Sequence, residues 1–313
     1  RWGLRGDDPP ADWEDWETWI AVGSSTTQCY YLDDDRTWPQ QVQRRLRAAG
    51  SRTWVGNAGQ DGATTRSAAA LVDEVMRDVR PTGMLFLAGG TDMVLSFSED
   101  RRRKGSPYDH ALRRRLDHYR EVRRSGLRGI LRGDGLRLRD EFVSWRRSRR
   151  MRPVPAESSH RTRFPPALMA PEDTLPPINL LLPSLPEYRA NLKRLGALAR
   201  ELGARAVFLT QPILYGTDSA WASREARTLR IEGRDYRISA ATERRLLERF
   251  NATTLEVCAE DGLECLDLAA RIPPDSLFFY DEGHFTDSGA ALAAEAIAGY
   301  LSALPKEASS RPR

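Results

Sequence analysis

The sequence predicts an α/β protein: a three-layer α/β/α sandwich with a five-stranded parallel sheet in the middle. Two observations predict it. Short apolar runs alternate along the chain with longer segments whose apolar residues recur every three or four positions. Several of the apolar runs end in small or glycine-rich residues, as strands do before a tight turn into a helix. The 313 residues are enough to bury such a core in one domain.

The predicted strands are the five short apolar runs. The first follows a polar, Trp-rich lead-in over residues 1–17 and ends in Gly-Ser-Ser-Thr-Thr. In order, the strands cover residues 18–22, 54–55, 84–88, 206–209 and 264–268. Active groups of a parallel sheet gather in loops at the carboxyl ends of its strands. We therefore expect the loops at 23–27, 57–62 and 89–92 to lie near one another.

The helices follow from apolar residues at helical spacing. Val42, Leu46 and Ala49 share one face of a helix that stops at Gly50. Four further helices are predicted over residues 66–79, 186–203, 240–261 and 287–303. Helices of this length between parallel strands place helical layers on both faces of the sheet.

Composition narrows the classes of protein and site. With 40% hydrophobic residues the chain is not a disordered one, and no run approaches the 18 apolar residues of a membrane span. Four histidines and three cysteines without metal-ligand spacing predict no metal site. The phosphate-binding patterns GxGxxG and GxxxxGK[ST] do not occur, which excludes the usual nucleotide-binding loops. Cys258 and Cys265 either pair, if the protein is exported, or are two small buried thiols. The lead-in and an Arg rather than a Met at position 1 favour export after removal of an N-terminal segment, although the compartment stays open.

Residues 96–180 are a predicted Arg- and Pro-rich insertion between the third and fourth strands. Residues 101–163 contain 21 basic and 7 acidic residues, although the net charge of the whole chain is only +4. We expect a helical cap that acts as a lid over the site; the alternative is a patch for a membrane surface or an anionic polymer. Nucleic acid is disfavoured because aromatic residues are sparse there and no nucleic-acid motif occurs. Residues 304–313 are a predicted flexible tail.

Three residues on two loops could carry nucleophilic catalysis. Ser25 directly follows the first predicted strand, where its hydroxyl would be exposed at the start of a helix. Asp281 and His284 are three residues apart in the loop before the last helix, so one loop can supply an imidazole and the carboxylate that orients it. The alternative for each is structural: an N-capped turn for Ser25 and a surface histidine for His284.

Taken together, these segments resemble the SGNH/GDSL hydrolase family over residues 18–95 and 186–303. The matching blocks are Gly23-Ser24-Ser25, the loop from Asn57 to Gly62, Gly89-Gly90-Thr91-Asp92, and Asp281 to His284. Two positions depart from the family pattern. Ser24 replaces the aspartate of the GDS block, and Thr91 replaces the oxyanion-hole asparagine with a hydroxyl on a shorter side chain.

The resemblance implies a flavodoxin-like fold and a serine esterase without a cofactor. Ser25 would be the nucleophile, His284 the base and Asp281 its orienting carboxylate. The oxyanion hole would consist of the backbone N–H groups of Ser25 and Gly62 and the hydroxyl of Thr91. The expected substrate is a small-molecule or carbohydrate ester with a short acyl group such as acetyl.

Further residues are expected near the substrate. Thr26 and Asp92 flank the catalytic loops, and the segment 212–239, predicted as an irregular loop, contributes Tyr215 and Trp221. These two aromatic residues either line the pocket or anchor a surface loop. Two other functions stay open: a non-catalytic binding protein for an anionic partner, favoured by Thr91, and an acyltransferase with the same triad.

Overall fold

The computed structural model describes residues 4–97, 116, 175, 177–215, 226–231 and 234–305. Most of the predicted insertion at 96–180 lies outside the described residues, as do Trp221 and all but the first two residues of the 304–313 tail. The predicted lid and the anionic-partner patch therefore stay predictions.

The five predicted parallel strands form one sheet, which confirms the fold class. In chain order the strands are β1 Glu17–Gly23, β2 Thr53–Asn57, β3 Gly83–Leu87, β4 Arg205–Leu209, β5 Ala226–Ile231, β6 Arg234–Ser239 and β7 Glu264–Leu266. The strand order in the sheet is β2-β1-β3-β4-β7, and all four neighbouring pairs run parallel. The other two strands, β5 and β6, form a separate antiparallel hairpin.

Helices connect the strands and cover both faces of the sheet. Among the described residues the helices are α1 Ser25–Gln28, α2 Trp38–Ala48, α3 Thr65–Leu71, α4 Arg77–Val79, α5 Gly90–Ser96, α6 Ile178–Leu181, α7 Leu185–Glu201, α8 Ala240–Asp261 and α9 Asp287–Ala303. A π-helical segment, Val72–Met76, continues α3 into α4. Short 3₁₀ turns lie at Trp13–Asp15, Asp34–Arg36 and Ala269–Arg271.

The core consists of two hydrophobic layers separated by the sheet. On one face, α2 and α9 pack on the strands, and Trp38 and Ile297 are fully buried there. On the other face, α3, α7 and α8 bury Leu195 and Phe250 against the sheet. Successive residues of β3 point to opposite faces of the sheet and therefore contribute to both layers. Phe86 packs in the layer with Leu195 and Phe250, and its neighbours Leu85 and Leu87 pack in the layer with Trp38 and Ile297.

Two local features differ from, or decide between, the sequence-based expectations. The segment 212–239 is not wholly irregular, because β5 and β6 pair within it in register from Ala226–Ser239 to Ile231–Arg234. Cys258 and Cys265, left open above, form a disulfide between the last turn of α8 and β7. Within the described part of the chain, no helix is long and apolar enough to cross a membrane.

Candidate active site

Ser25 is the first residue of α1, directly beyond the carboxyl end of β1. The turn depends on Gly23. A Cβ on Gly23 would lie 2.2 Å from Thr27 Oγ1 and 2.4 Å from the backbone oxygen of Leu87, so a larger residue would push β1 away from β3. A buried strand and a glycine without room for a side chain therefore fix where Ser25 leaves the sheet.

Ser25, His284 and Asp281 form one continuous chain of hydrogen bonds. Ser25 Oγ lies 2.7 Å from His284 Nε2, and His284 Nδ1 donates to the Asp281 carboxylate, 2.8 Å from Oδ2. The backbone N–H groups of Gly283 and His284 also donate to Asp281 Oδ1, at 3.0 and 2.9 Å. About a quarter of each side chain of the His284–Asp281 pair is exposed, so the imidazole is partly screened from solvent yet reachable.

Burial and charge act in opposite directions on this pair. Burial disfavours the charged imidazole, but the hydrogen bond and charge of Asp281, with the charges of Glu282 and Asp61, raise the pKa of His284 overall. Burial opposes ionisation of Asp281 as well. The hydrogen bonds from His284 and Gly283 outweigh it and lower the pKa of Asp281. The carboxylate thus stays charged and favours the protonated imidazole that forms when His284 accepts a proton.

The loop from Asn57 to Gly62 is packed against the turn that carries Ser25. Asn57 Nδ2 donates to the backbone oxygen of Thr27 at 2.9 Å, and the Gln60 N–H donates to that of Gly23 at 3.0 Å. Gly62 has φ +69°, in the region that favours glycine. The structure therefore brings Gly62, one of the predicted oxyanion-hole residues, into the loop locked to Ser25.

The Gly-Gly-Thr-Asp segment opens α5 beside these two loops. Asp92 is buried, and its carboxylate accepts hydrogen bonds from Thr65 N (3.1 Å to Oδ1) and Thr65 Oγ1 (2.6 Å) at the start of α3. Thr91 is half-buried, and no hydrogen-bond partner for its hydroxyl is found among the described residues. Asp92 thus ties α5 to the start of α3, which follows the loop of Gly62.

A buried polar network lies behind the nucleophile turn. Thr26 is 7% exposed, and its hydroxyl donates to Gln211 Oε1 at 3.1 Å and lies 3.3 Å from Ser24 Oγ. Asn251 holds the backbone of Gln211 through both amide atoms, at 2.8 and 2.9 Å. Thr26 therefore faces the interior and links the turn to α8. Sequence reasoning missed the role of Gln211, which no spacing in the chain indicates.

The remaining predicted pocket residues are placed differently. Tyr215 is 2% exposed and belongs to the hydrophobic layer under α2 and α9, which corresponds to the buried-anchor alternative. Trp221 lies outside the described residues. Within the described ranges, no group of three or more His, Cys, Asp and Glu side chains is placed so that it could hold a metal ion.

Tyr31 is a residue next to the site that sequence reasoning missed. Its ring lies 5.6 Å from the His284 ring, with the two planes at 88°, and the side chain is 53% exposed. Tyr31 lies only six positions after Ser25, at the end of the turn that follows α1. This position beside the nucleophile is the signal that could have identified it.

A parallel sheet covered by helices on both faces, with a Ser–His–Asp hydrogen-bond chain at the carboxyl ends of its strands, is an arrangement of serine hydrolases. This chain belongs to the GDSL-like lipase/acylhydrolase family, whose sequence profile matches residues 21–292. No curated protein sequence matches the chain.

Solved structures share the fold at low sequence identity. One is Axe2, an acetylxylan esterase from Geobacillus stearothermophilus, at 13% identity and a TM-score of 0.52, with 94% of this chain and 97% of that one covered. Another is LAE5, an α/β hydrolase enzyme from the metagenome of Lake Arreo, Spain, at 13% identity and a TM-score of 0.51, with 93% and 97% covered. Both confirm the architecture of the sheet and its helices.

Proposed function

We propose that this chain hydrolyses carboxylic esters through an acyl-enzyme on Ser25. The hydrogen-bond chain from Ser25 Oγ through His284 to Asp281 supports this most directly, with 2.7 Å between nucleophile and base. A base must be within hydrogen-bond reach of the proton it removes, and this one is. The match to a family of lipases and acylhydrolases also supports ester hydrolysis.

In the first half of the reaction, His284 Nε2 accepts the Ser25 proton while Ser25 Oγ attacks the ester carbonyl. The negative charge on the carbonyl oxygen is stabilised by the N–H groups of Ser25 and Gly62 and by the Thr91 hydroxyl. The C–O bond to the alcohol then breaks, and the alcohol oxygen takes the proton from His284. In the second half, water gives a proton to His284 while its oxygen attacks the acyl carbon. The bond between the acyl carbon and Ser25 Oγ then breaks, Ser25 Oγ takes the proton back from His284, and the acid is released.

The proposed substrates are small or carbohydrate esters with a short acyl group such as acetyl. The family resemblance supports this range, and the acetylxylan esterase with the same fold acts on a substrate of this kind.

Hydrolysis of p-nitrophenyl acetate and p-nitrophenyl octanoate tests the proposal. We expect wild-type turnover with a preference for acetate, and a loss of at least about 10³-fold in kcat for Ser25→Ala and His284→Ala. Ser302→Ala, which changes an exposed serine on α9, is the matched control and keeps wild-type turnover. A fluorophosphonate probe should label the wild type and not Ser25→Ala. Equal turnover in wild type and Ser25→Ala, without labelling, contradicts the proposal.

A further inference from the structure

The exposed ring of Tyr31 lies beside the catalytic imidazole, on a loop whose backbone is held by hydrogen bonds. The guanidinium of Arg5 donates to the backbone oxygens of Gln28, Cys29 (2.9 Å) and Leu32, on both sides of the tyrosine. Arg5 also pairs with Asp34. A side chain that is half exposed in solution is thus presented on a fixed backbone, which lowers the conformational cost of using it to bind a ligand.

The mechanism decides which part of an ester meets this ring. The leaving alcohol takes its proton from His284, so the alcohol oxygen must come within hydrogen-bond distance of Nε2. Tyr31 packs against the His284 ring. A group attached to that oxygen therefore extends toward the imidazole and its neighbours, and Tyr31 is within reach of the alcohol part of the substrate.

The surroundings of Tyr31 narrow the chemistry of that group. The ring of Tyr280 lies 5.9 Å from the Tyr31 ring, and the charged groups that act on Tyr31 are the carboxylates of Asp281, Asp61 and Glu282. Burial, these three charges and the neighbouring Tyr30 raise the pKa of Tyr31. An anionic group is repelled here, whereas hydroxyl groups can donate to the exposed carboxylate of Asp61.

We propose that Tyr31 is a substrate-binding residue whose ring packs on the alcohol part of the ester, and that this part is a neutral sugar ring. A pyranose combines a flat face of C–H groups, which packs on an aromatic face, with hydroxyls that hydrogen-bond to nearby carboxylates. The inference rests on the proposed hydrolysis at Ser25, and it assigns the sugar to the alcohol side of the scissile bond.

The test compares one pyranose ester with one open-chain ester of the same acid. Acid release from xylose tetraacetate and from ethyl acetate is followed by titration at constant pH, and the ratio of the two kcat/KM values is the readout. Tyr31→Ala should lower this ratio about 10-fold, mainly through KM for the sugar ester, because one aromatic contact is lost. Tyr31→Phe should stay within about 3-fold of wild type. Leu180→Ala is the matched control, because it also removes an exposed hydrophobic side chain, in this case on α6. This substitution should leave the ratio unchanged.

Two results overturn the inference. If Tyr31→Ala lowers both kcat/KM values equally, Tyr31 positions His284 and does not bind the sugar. If Tyr31→Ala lowers kcat/KM for acetylcholine more than for xylose tetraacetate, the ring serves a cationic alcohol.

A binding measurement separates this inference from the proposed hydrolysis. Saturation-transfer NMR of methyl xylopyranoside on the Ser25→Ala protein should show transfer to the ring C–H protons, and the signal should vanish when Tyr31→Ala is added. A Tyr31-dependent signal in a protein whose wild type hydrolyses no ester refutes the hydrolysis alone. Normal hydrolysis with a signal that Tyr31→Ala leaves intact refutes the role of Tyr31 alone.

Discussion

Replacing Gly59 with alanine tests whether the catalytic turn and the loop of Gly62 must interlock. Gly59 lies in contact with the turn after Ser25: an added Cβ would be 2.2 Å from the backbone nitrogen of Gln28 and 2.6 Å from the backbone carbon of Thr27. These are backbone atoms, which cannot rotate away as a side chain can. The two segments must therefore separate by about an ångström to restore van der Waals contact.

The size of the effect follows from this separation. Overpacking of this kind costs about 1–3 kcal/mol of stability, offset by about 0.4–1 kcal/mol because alanine restricts the unfolded chain. At about 2–4 °C per kcal/mol, Gly59→Ala should lower Tm by several degrees. The same movement carries Gly62 away from Ser25, and a misplacement of about 1 Å in an active site costs on the order of 10²-fold in rate.

Thermal unfolding by circular dichroism and kcat on p-nitrophenyl acetate measure both effects. Gly299→Ala on α9 is the matched control, because a Cβ there meets nothing within 4 Å. That substitution should raise stability by about 0.5–1 kcal/mol, since alanine is the better helix former, and should leave kcat unchanged. A Gly59→Ala protein with wild-type Tm and kcat would refute the interlock.

Three further predictions concern single side chains. Thr91→Asn should raise kcat on p-nitrophenyl acetate by about 10-fold or more, because the asparagine amide reaches farther than the threonine hydroxyl. One oxyanion donor contributes about 10²-fold to kcat, which sets the upper range of the effect. An unchanged kcat argues that Thr91 lies outside the oxyanion hole. In a pH profile, kcat/KM should fall with acidification through a pKa above the ordinary imidazole value, since only neutral His284 accepts the Ser25 proton and the pKa of His284 is raised. Asp281→Asn should move this acidic limb of the profile to lower pH and lower kcat about 10⁴-fold. An acidic limb that does not move excludes His284 as the titrating base. Arg5→Ala removes three hydrogen bonds from the Tyr31 loop and should weaken sugar-ester binding several-fold with little change on ethyl acetate, as separate KM measurements would show.

The sheet could be predicted from the sequence because its strands are buried on both faces and read as short apolar runs. The same logic placed Ser25 and His284 at one edge, since the carboxyl ends of parallel strands meet there. The β5–β6 hairpin escaped prediction because four of its twelve strand residues are arginines, which leaves little of the apolar alternation of a half-buried strand.

Contacts between distant parts of the chain were beyond sequence reasoning for a different reason. Gln211 and Thr26 are 185 positions apart, and Arg5 reaches carbonyls more than 20 positions away. No periodicity or spacing encodes such pairs, because they depend on how loops of irregular length fold back. Tyr215 illustrates the same limit: its loop position was predicted, but only packing shows that its side chain is buried.

The two halves of the candidate triad are held by different means, and this explains where the site tolerates change. Ser25 is fixed by backbone packing, because glycine at positions 23 and 59 lets neighbouring loops touch. His284 sits on a short loop closed by its own hydrogen bonds: Tyr280 N donates to His284 O at 2.8 Å. Gly289 closes the base of that loop, since a Cβ there would lie 2.0 Å from the backbone oxygen of Phe278. We expect substitutions that enlarge these glycines to move the reacting groups apart, and substitutions of Thr91 to change the rate without moving either loop.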